Sequence, residues 1–571
     1  MKRFLVLLAV WLSAYSPALG APSLTDPNLS VTEITSGLSA PTTMAFIGTD
    51  DILVLQKDNG QVRRVISGAL QSSAVLDVAV DNASERGMLG IAVHPNFPTS
   101  PFIYLYYTES STSGDTSGSP AGNRVYRYTW NGTTLTSPVL ILNLPVTPGP
   151  NHDGGAITFG PDGKLYVVIG DLNRDGQLQN FPGGPTPDDT SVILRLNDDG
   201  SIPSDNPFFS QGGNVAKYFA YGIRNSFGMD FDPMTNKLWM TENGPNFFDE
   251  INLVEPGFNS GWEKIMGPDA RNSNNVSDLF SIAGSHYGDP KFSWLNTVGP
   301  TAIVFLDSAN LGAEYENDVF VGDINNGNLY HFKPNGMRDG FVFSGAGLAD
   351  MVADNSAELD ETIIGTGFAG ITDLKVGPDG RLYVVSFGEG KIYGISNATL
   401  PLSFGIATLP TAEMGVAYNV DLNINGGSPP FSVGLVTGVL PPGLNLIGET
   451  IAGTLSLVKG SRFTLRVTDQ LGATLTQRFN ISAVGAVSIS NRSLPVGRAA
   501  RSYSARLAVR SGKKPFAWSL VAGSLPSGVM LDPATGRISG TPVTGGDTNV
   551  TFQVTDALGG VAQKALMFSI R

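Results

Sequence analysis

Apolar and polar residues alternate over short stretches of this chain, and glycine, proline and aspartate punctuate the stretches. Long amphipathic helical patterns are scarce. This texture predicts many short strands joined by tight turns. Between about residues 40 and 400 a strand, a turn and a second strand recur. The copies begin at Met44-Ala45-Phe46, Ile91-Ala92-Val93, Ile157-Thr158-Phe159, Met229-Asp230-Phe231, Ile303-Val304-Phe305 and Leu374-Lys375-Val376. Two copies pass through the same turn, Gly-Pro-Asp-Gly, at 160–163 and 377–380, into Leu-Tyr-Val-Val. Proline presets φ for such a turn and glycine accepts a positive φ. Six irregular copies predict a six-bladed β-propeller, with loops gathered on one face.

A second repeat fills the tail. Pro430-Phe431, Leu440-Pro441-Pro442-Gly443-Leu444, Gly453-Thr454 and Val467-Thr468-Asp469 return as Pro515-Phe516, Leu525-Pro526-Ser527-Gly528-Val529, Gly540-Thr541 and Val554-Thr555-Asp556. Units of this size with alternating strands predict two immunoglobulin-like sandwiches. The whole chain therefore reads as all-β, with 21–399 as the propeller, 400–485 as the first module and 486–571 as the second.

Residues 1–20 read as a secretory signal. Lys2 and Arg3 supply the charge, Phe4 to Trp11 the apolar run, and Ala18-Leu19-Gly20 the small residues before a cut at Ala21. The expected location is secreted or periplasmic, without a transmembrane segment. The sequence has no cysteine, which excludes disulfides and thiolate metal sites and leaves oxygen or imidazole ligands for any metal. Residues 21–400 carry 20 Lys and Arg against 43 Asp and Glu, whereas 401–571 carry 14 against 7. An acidic body argues against nucleic acid as the main partner. The basic last module could touch an anionic cell-surface polymer, although a solvated face explains it equally simply.

Chemistry concentrates in a few loops. His152 lies in Asn-His-Asp-Gly-Gly, where two glycines leave room for a ligand beside an imidazole. Gly170-Asp171 ends the strand that follows. Arg224, with Asn225 beside it, is suited to an anionic ligand through its planar fork. The carbonyls of Gly244 and Pro245, with the carboxylates of Asp249 and Glu250, form an oxygen-donor set of the kind calcium takes.

The ordered set His-x-Gly-Gly, Gly-Pro-Asp-Gly, Gly-Asp, Arg-Asn-x-x-Gly, Glu-x-Gly-Pro-x-x-x-Asp-Glu-Ile-Asn-Leu and Asn-x-Gly-Trp resembles the soluble quinoprotein glucose/sorbosone dehydrogenase family over roughly 35–397. The resemblance implies a sugar or alcohol substrate, pyrroloquinoline quinone (PQQ) and Ca²⁺. It implies His152 as the general base and Asp171 as the acid orienting it or the substrate. Arg224 and Asn225 would lie against the quinone, Gly244 and Pro245 would ligate calcium through their carbonyls, and Asp249 and Glu250 would be neighbouring calcium ligands. The electron acceptor stays open.

The chain also departs from the family pattern. Ala156 stands where an arginine is expected, Asn325 where a lysine is, and Gly370 and Thr372 where two arginines are. Lys217, Lys264 and Arg271 are the candidates to replace the lost charge. Two other activities stay open beside the dehydrogenase: a glycan- or protein-binding propeller without cofactor, and a calcium-dependent lactone hydrolase using His152.

Overall fold

The computed structural model describes residues 21–397, 401–427, 429–470 and 473–571, so the signal-like segment 1–20 lies outside the described residues. The chain divides into two compact units, one through Thr399 and one from Leu400.

The first unit is built from six sheets, antiparallel except at the outer edges of the third and fourth, where short strands pair in parallel. Their first strands are Pro41–Gly48, Met88–Val93, Ile157–Phe159, Gly228–Phe231, Pro300–Phe305 and Ile371–Val376, and each contains one of the six repeat copies. Each first strand neighbours the next, and the sixth neighbours the first, so the sheets form a closed ring around a central tunnel. The ring is completed by the chain's own beginning: Leu29–Thr35 pairs antiparallel with Lys391–Asn397 and becomes the outer strand of the sixth sheet. Ser23–Leu24 likewise pairs with Ile363–Thr366 of the fifth.

Neighbouring sheets bury apolar residues between them. Tyr104, Leu165, Val167, Leu194 and Tyr218 share one such core, and Trp239, Phe292, Trp294, Tyr330 and Phe332 another. Cores this rich in aromatic area stabilise chiefly by removing apolar surface from water, at about 25 cal/mol per Å².

The repeated turn has a mechanical explanation. Asp162 Oδ1 accepts the Lys164 amide at 3.0 Å and its Oδ2 accepts the Tyr166 hydroxyl at 3.0 Å. Asp379 holds Arg381 N and Tyr383 Oη in the same way, at 3.1 and 2.8 Å. Gly163 and Gly380 take φ of 71° and 77°, the left-handed conformation that glycine reaches without strain. These turns join first strands to second strands and so lie at one end of the tunnel. The segments that lead into first strands, and those that leave second strands, lie at the other end. His152, Gly170-Asp171, Arg224 and Gly244 all belong to that second group.

The second unit repeats one topology twice. Ala417–Asp421, Thr450–Thr454 and Leu444–Ile447 form one sheet, and Ser432–Gly438, Ser461–Thr468 and Thr474–Ile481 face it. Tyr503–Arg506, Arg537–Gly540, Val529–Leu531 and Ala517–Ala522, Gly546–Thr555, Val561–Ile570 reproduce the arrangement. Alternation such as that of Ser461–Thr468 places Phe463, Leu465 and Val467 inward. Among the described residues, no helix is long and apolar enough to cross a membrane.

Candidate active site

A cavity of about 560 Å³ opens at the loop end of the tunnel and is lined by residues from all six sheets. His152, Arg224, Asn225, Gly244, Pro245 and Asp249 border it.

His152 is buried, and its backbone is left-handed at φ 63°, uncommon for a side chain branching at a ring. Two contacts hold it there. Its amide donates to Glu85 Oε2 at 2.6 Å, and its Nδ1 lies 2.6 Å from Asp171 Oδ1. Asp171 is itself fixed: Oδ2 accepts the Trp262 indole N–H at 2.7 Å, and Oδ1 accepts the Asn173 amide at 2.7 Å. A carboxylate cannot donate, so the proton in the His152–Asp171 bond sits on Nδ1, and Nε2 carries the free lone pair.

Gly170 makes this convergence possible. A Cβ there would stand 2.4 Å from the His152 carbonyl oxygen and 2.5 Å from that of Arg224. Without a side chain the strand end slips between the two loops, and the Asp171 amide donates to the Arg224 carbonyl at 2.9 Å.

Arg224 is tied into the wall by its backbone amide, which donates to Glu242 Oε1 at 2.7 Å, and by Nη1, which donates to the Asn243 carbonyl at 2.9 Å. Its guanidinium lies 5.3 Å from the centre of the Trp262 ring. Burial pulls its pKa below the ordinary value, opposed by Asp171 and Glu85. Its Nε is buried with no partner among the described residues, and so is Oδ1 of Asn225. Asn225 Nδ2 donates to Glu85 Oε2 at 2.9 Å, so one carboxylate oxygen binds both the His152 loop and Asn225.

The acids after Gly244-Pro245 part ways. Asp249 reaches the cavity wall, but its oxygens accept the Gly244, Val298 and Gly299 amides at 2.8, 2.6 and 2.8 Å. It thereby fixes the Gly244-Pro245 turn at the cavity wall. Glu250 corrects the sequence expectation: alternation along Asp249–Val254 turns it away from the cavity. There it accepts the Gly267 amide at 2.6 Å and Asn252 Nδ2 at 2.8 Å. It sits directly opposite Glu242 on the neighbouring strand. Burial raises both carboxyls, Glu242 to about 7, and the charge of Glu242 raises Glu250 further. Among the described residues, no group of three His, Asp or Glu side chains is arranged to hold a metal ion. Calcium at this wall would depend on the Gly244 and Pro245 carbonyls and on its co-ligand.

Ala156, Asn325 and Thr372 all border the cavity, so the neutral residues occupy wall positions. The three expected replacements lie elsewhere: Lys217 pairs with Asp189, Lys264 covers the Phe181 ring, and Arg271 pairs with Asp350 and Asp354. The cations that do border the cavity with Arg224 are Lys57 and Lys375. Neither these lysines nor Glu85 carries a local sequence signal; only the closed ring of sheets brings them to one cavity. The orphaned Arg224 Nε is a donor without an acceptor, and with Lys57 and Lys375 also on the cavity wall it fits a flat, multiply anionic cofactor.

Fold and site together define a β-propeller with a polar central cavity that bears a histidine–aspartate pair and clustered cations. The chain belongs to the glucose/sorbosone dehydrogenase family, whose profile matches residues 38–394, and an immunoglobulin-domain family matches 401–484 and 486–571. It is 33% identical to quinoprotein glucose dehydrogenase B of Acinetobacter calcoaceticus over 282 residues, covering 45% of this chain and 58% of that protein. It is 26% identical to the aldose sugar dehydrogenase YliI of Escherichia coli, covering 61% and 87%. The apo crystal structure of the soluble aldose sugar dehydrogenase from E. coli shares the fold, with a TM-score of 0.52 and 24% identity over 65% of this chain and 99% of that one. The chain is thus related to PQQ-dependent sugar oxidoreductases.

Proposed function

We propose that this protein is an exported dehydrogenase that oxidises a sugar or related alcohol with PQQ and Ca²⁺, using His152 as the general base. The observation that carries the reading is the His152–Asp171 bond at the wall of a cavity that also holds the unpaired Arg224 Nε and Asn225 Oδ1.

When bound, calcium-polarised PQQ supplies the electrophile that takes up a hydride. Arg224 would hold it through its guanidinium, with Asn225 lying against it, and the Gly244 and Pro245 carbonyls would hold the calcium. His152 Nε2 accepts the proton of the substrate hydroxyl as the hydride leaves the same carbon. Asp171 keeps the imidazole in the tautomer that can accept it, and then stabilises the imidazolium. Trp262 prevents Asp171 from rotating away. Glu85 fixes the height of the His152 loop relative to Asn225.

The test is to titrate the purified protein with PQQ and Ca²⁺, following the quinone spectrum and then dye reduction with a panel of aldoses. Saturable binding and turnover, with turnover lost in His152→Ala, is the expected result. Failure to bind at tens of micromolar PQQ overturns the reading, and calcium-dependent lactone hydrolysis without PQQ would replace it. Export is checked by fractionating the host cell and sequencing the mature N-terminus, expected at or near Ala21.

A further inference from the structure

We propose that Lys57 and Lys375 are the relocated cationic contacts for the anionic cofactor, taking over from the neutral residues at Ala156, Asn325 and Thr372. The inference rests on the quinone reading above and goes further, assigning recognition to two residues that lie outside the family's motifs.

Placement supports both lysines. Lys57 follows Asp51–Gln56, the second strand of the first sheet, and so emerges at the same tunnel end as His152. Arg224 leads into the first strand of the fourth sheet, and in a ring of six the first and fourth sheets face each other. A flat ligand spanning the mouth therefore meets a cation on each side. Lys375 lies on the inner strand of the sixth sheet, deeper than Thr372, and its charge is felt by Asp230 on the inner strand of the fourth. It supplies positive charge from the cavity floor.

Neither lysine is committed to a structural task. Lys57 Nζ contacts Asp58 at 2.9 Å and donates a long bond to the Asn82 carbonyl at 3.3 Å, but Asp58 is about half exposed, and pairs of this kind hold weakly. Lys375 Nζ lies 3.2 Å from Asp373 Oδ1. Asp373 is satisfied without it, by Thr43 Oγ1 at 2.7 Å, the Met44 amide at 3.0 Å and the Leu374 amide at 3.0 Å. An incoming carboxylate can therefore recruit either ammonium at little cost to the fold. Glu85, Asp249 and Asp373 also border the cavity, so without these lysines Arg224 alone would oppose four sources of negative charge.

The test measures PQQ binding by its absorbance change in the presence of Ca²⁺, independently of turnover. Lys57→Gln and Lys375→Gln are each expected to weaken binding by roughly tenfold to a hundredfold, the usual worth of a charge-assisted hydrogen bond. The double variant should also lose most of the salt dependence of binding. Lys375→Arg should retain affinity, and Lys237→Gln, an exposed lysine paired with Glu255, should behave as wild type. Thermal melts of the unloaded proteins should coincide. If wild type binds and the double variant binds within about twofold of it, the inference is overturned while the quinone reading stands. If wild type itself does not bind PQQ, it is the quinone reading that fails.

Discussion

Glu85 reaches across 67 residues of sequence to His152 and 140 to Asn225, and one of its oxygens accepts from both. The proposed proton acceptor and the residue proposed to face the quinone are thereby held at a fixed spacing by a third side chain. Glu85→Ala should leave the protein folded and lower kcat by about 10- to 100-fold, the scale of a small misplacement at a reacting centre. Glu85→Gln, whose amide oxygen can still accept, should recover most of the loss. Steady-state kinetics on the loaded enzyme checks both; equal activity in wild type and Glu85→Ala would remove the positioning role.

Asp171→Asn should be far more damaging than its size suggests. An amide can donate its N–H to Nδ1, which would move the imidazole proton to Nε2 and leave no base facing the cavity. A loss of about 10²–10⁴ in kcat is expected, by comparison with histidine–aspartate pairs elsewhere. PQQ affinity should change little, so the quinone titration and the rate should separate.

Gly170→Ala places a methyl group within 2.5 Å of two carbonyl oxygens. Backbone on both sides must move, costing about 1–3 kcal/mol of stability. The movement separates His152 from Asp171, so activity should fall along with the melting temperature. A calorimetric scan and a single-turnover measurement give the two readouts.

The buried Glu242–Glu250 pair makes stability depend on pH. Both carboxyls are raised by burial, Glu242 to about 7, so the folded protein holds protons that the unfolded chain releases above the ordinary glutamate range. Their stabilising protonation is fully present below about pH 4.5 and is lost as pH rises through 7. Wild type should therefore melt at lower temperature at pH 8 than at pH 5.5. Glu242→Gln, neutral throughout, should flatten that slope.

Calcium dependence should divide the two neighbouring acids. Glu250→Gln should leave calcium affinity intact, because that carboxyl points away from the cavity. Asp249→Ala should weaken it and also lower thermal stability in EDTA, because three buried amides lose their acceptor. Isothermal titration with Ca²⁺ and melts in EDTA distinguish the two effects.

The sequence carried its clearest messages where structure is local. The copies ending in Phe159, Phe231 and Val376 named the inner strands, and the Gly-Pro-Asp-Gly turns were read from proline and glycine alone, while their aspartate–tyrosine bonds emerged only in the fold. His152, Arg224, Asn225, Gly244 and Pro245, singled out by residue type and motif order, come to one cavity because loops entering first strands and leaving second strands share a face. What escaped was non-local. Glu85, Lys57 and Lys375 sit in ordinary strand-edge contexts, and only ring closure shows where they point. Glu250 was misplaced for the opposite reason: strand alternation sends it away from its neighbour Asp249, and the motif hides that alternation. Lys217, Lys264 and Arg271 attracted attention because they lie in long loops, whose paths follow no periodic rule.

The pairing of Leu29–Thr35 with Lys391–Asn397 joins segments more than 350 residues apart. Leu29–Thr35 must therefore wait for its partner until nearly the whole ring has been synthesised. Until residue 397 exists, both rims of the growing ring are open edges able to recruit a strand from another chain. The cavity, which draws on all six sheets, is complete only with that final stitch. Damage at the outer, chemically silent strand should therefore show itself first as poor yield and aggregation during production, and only afterwards as lost activity.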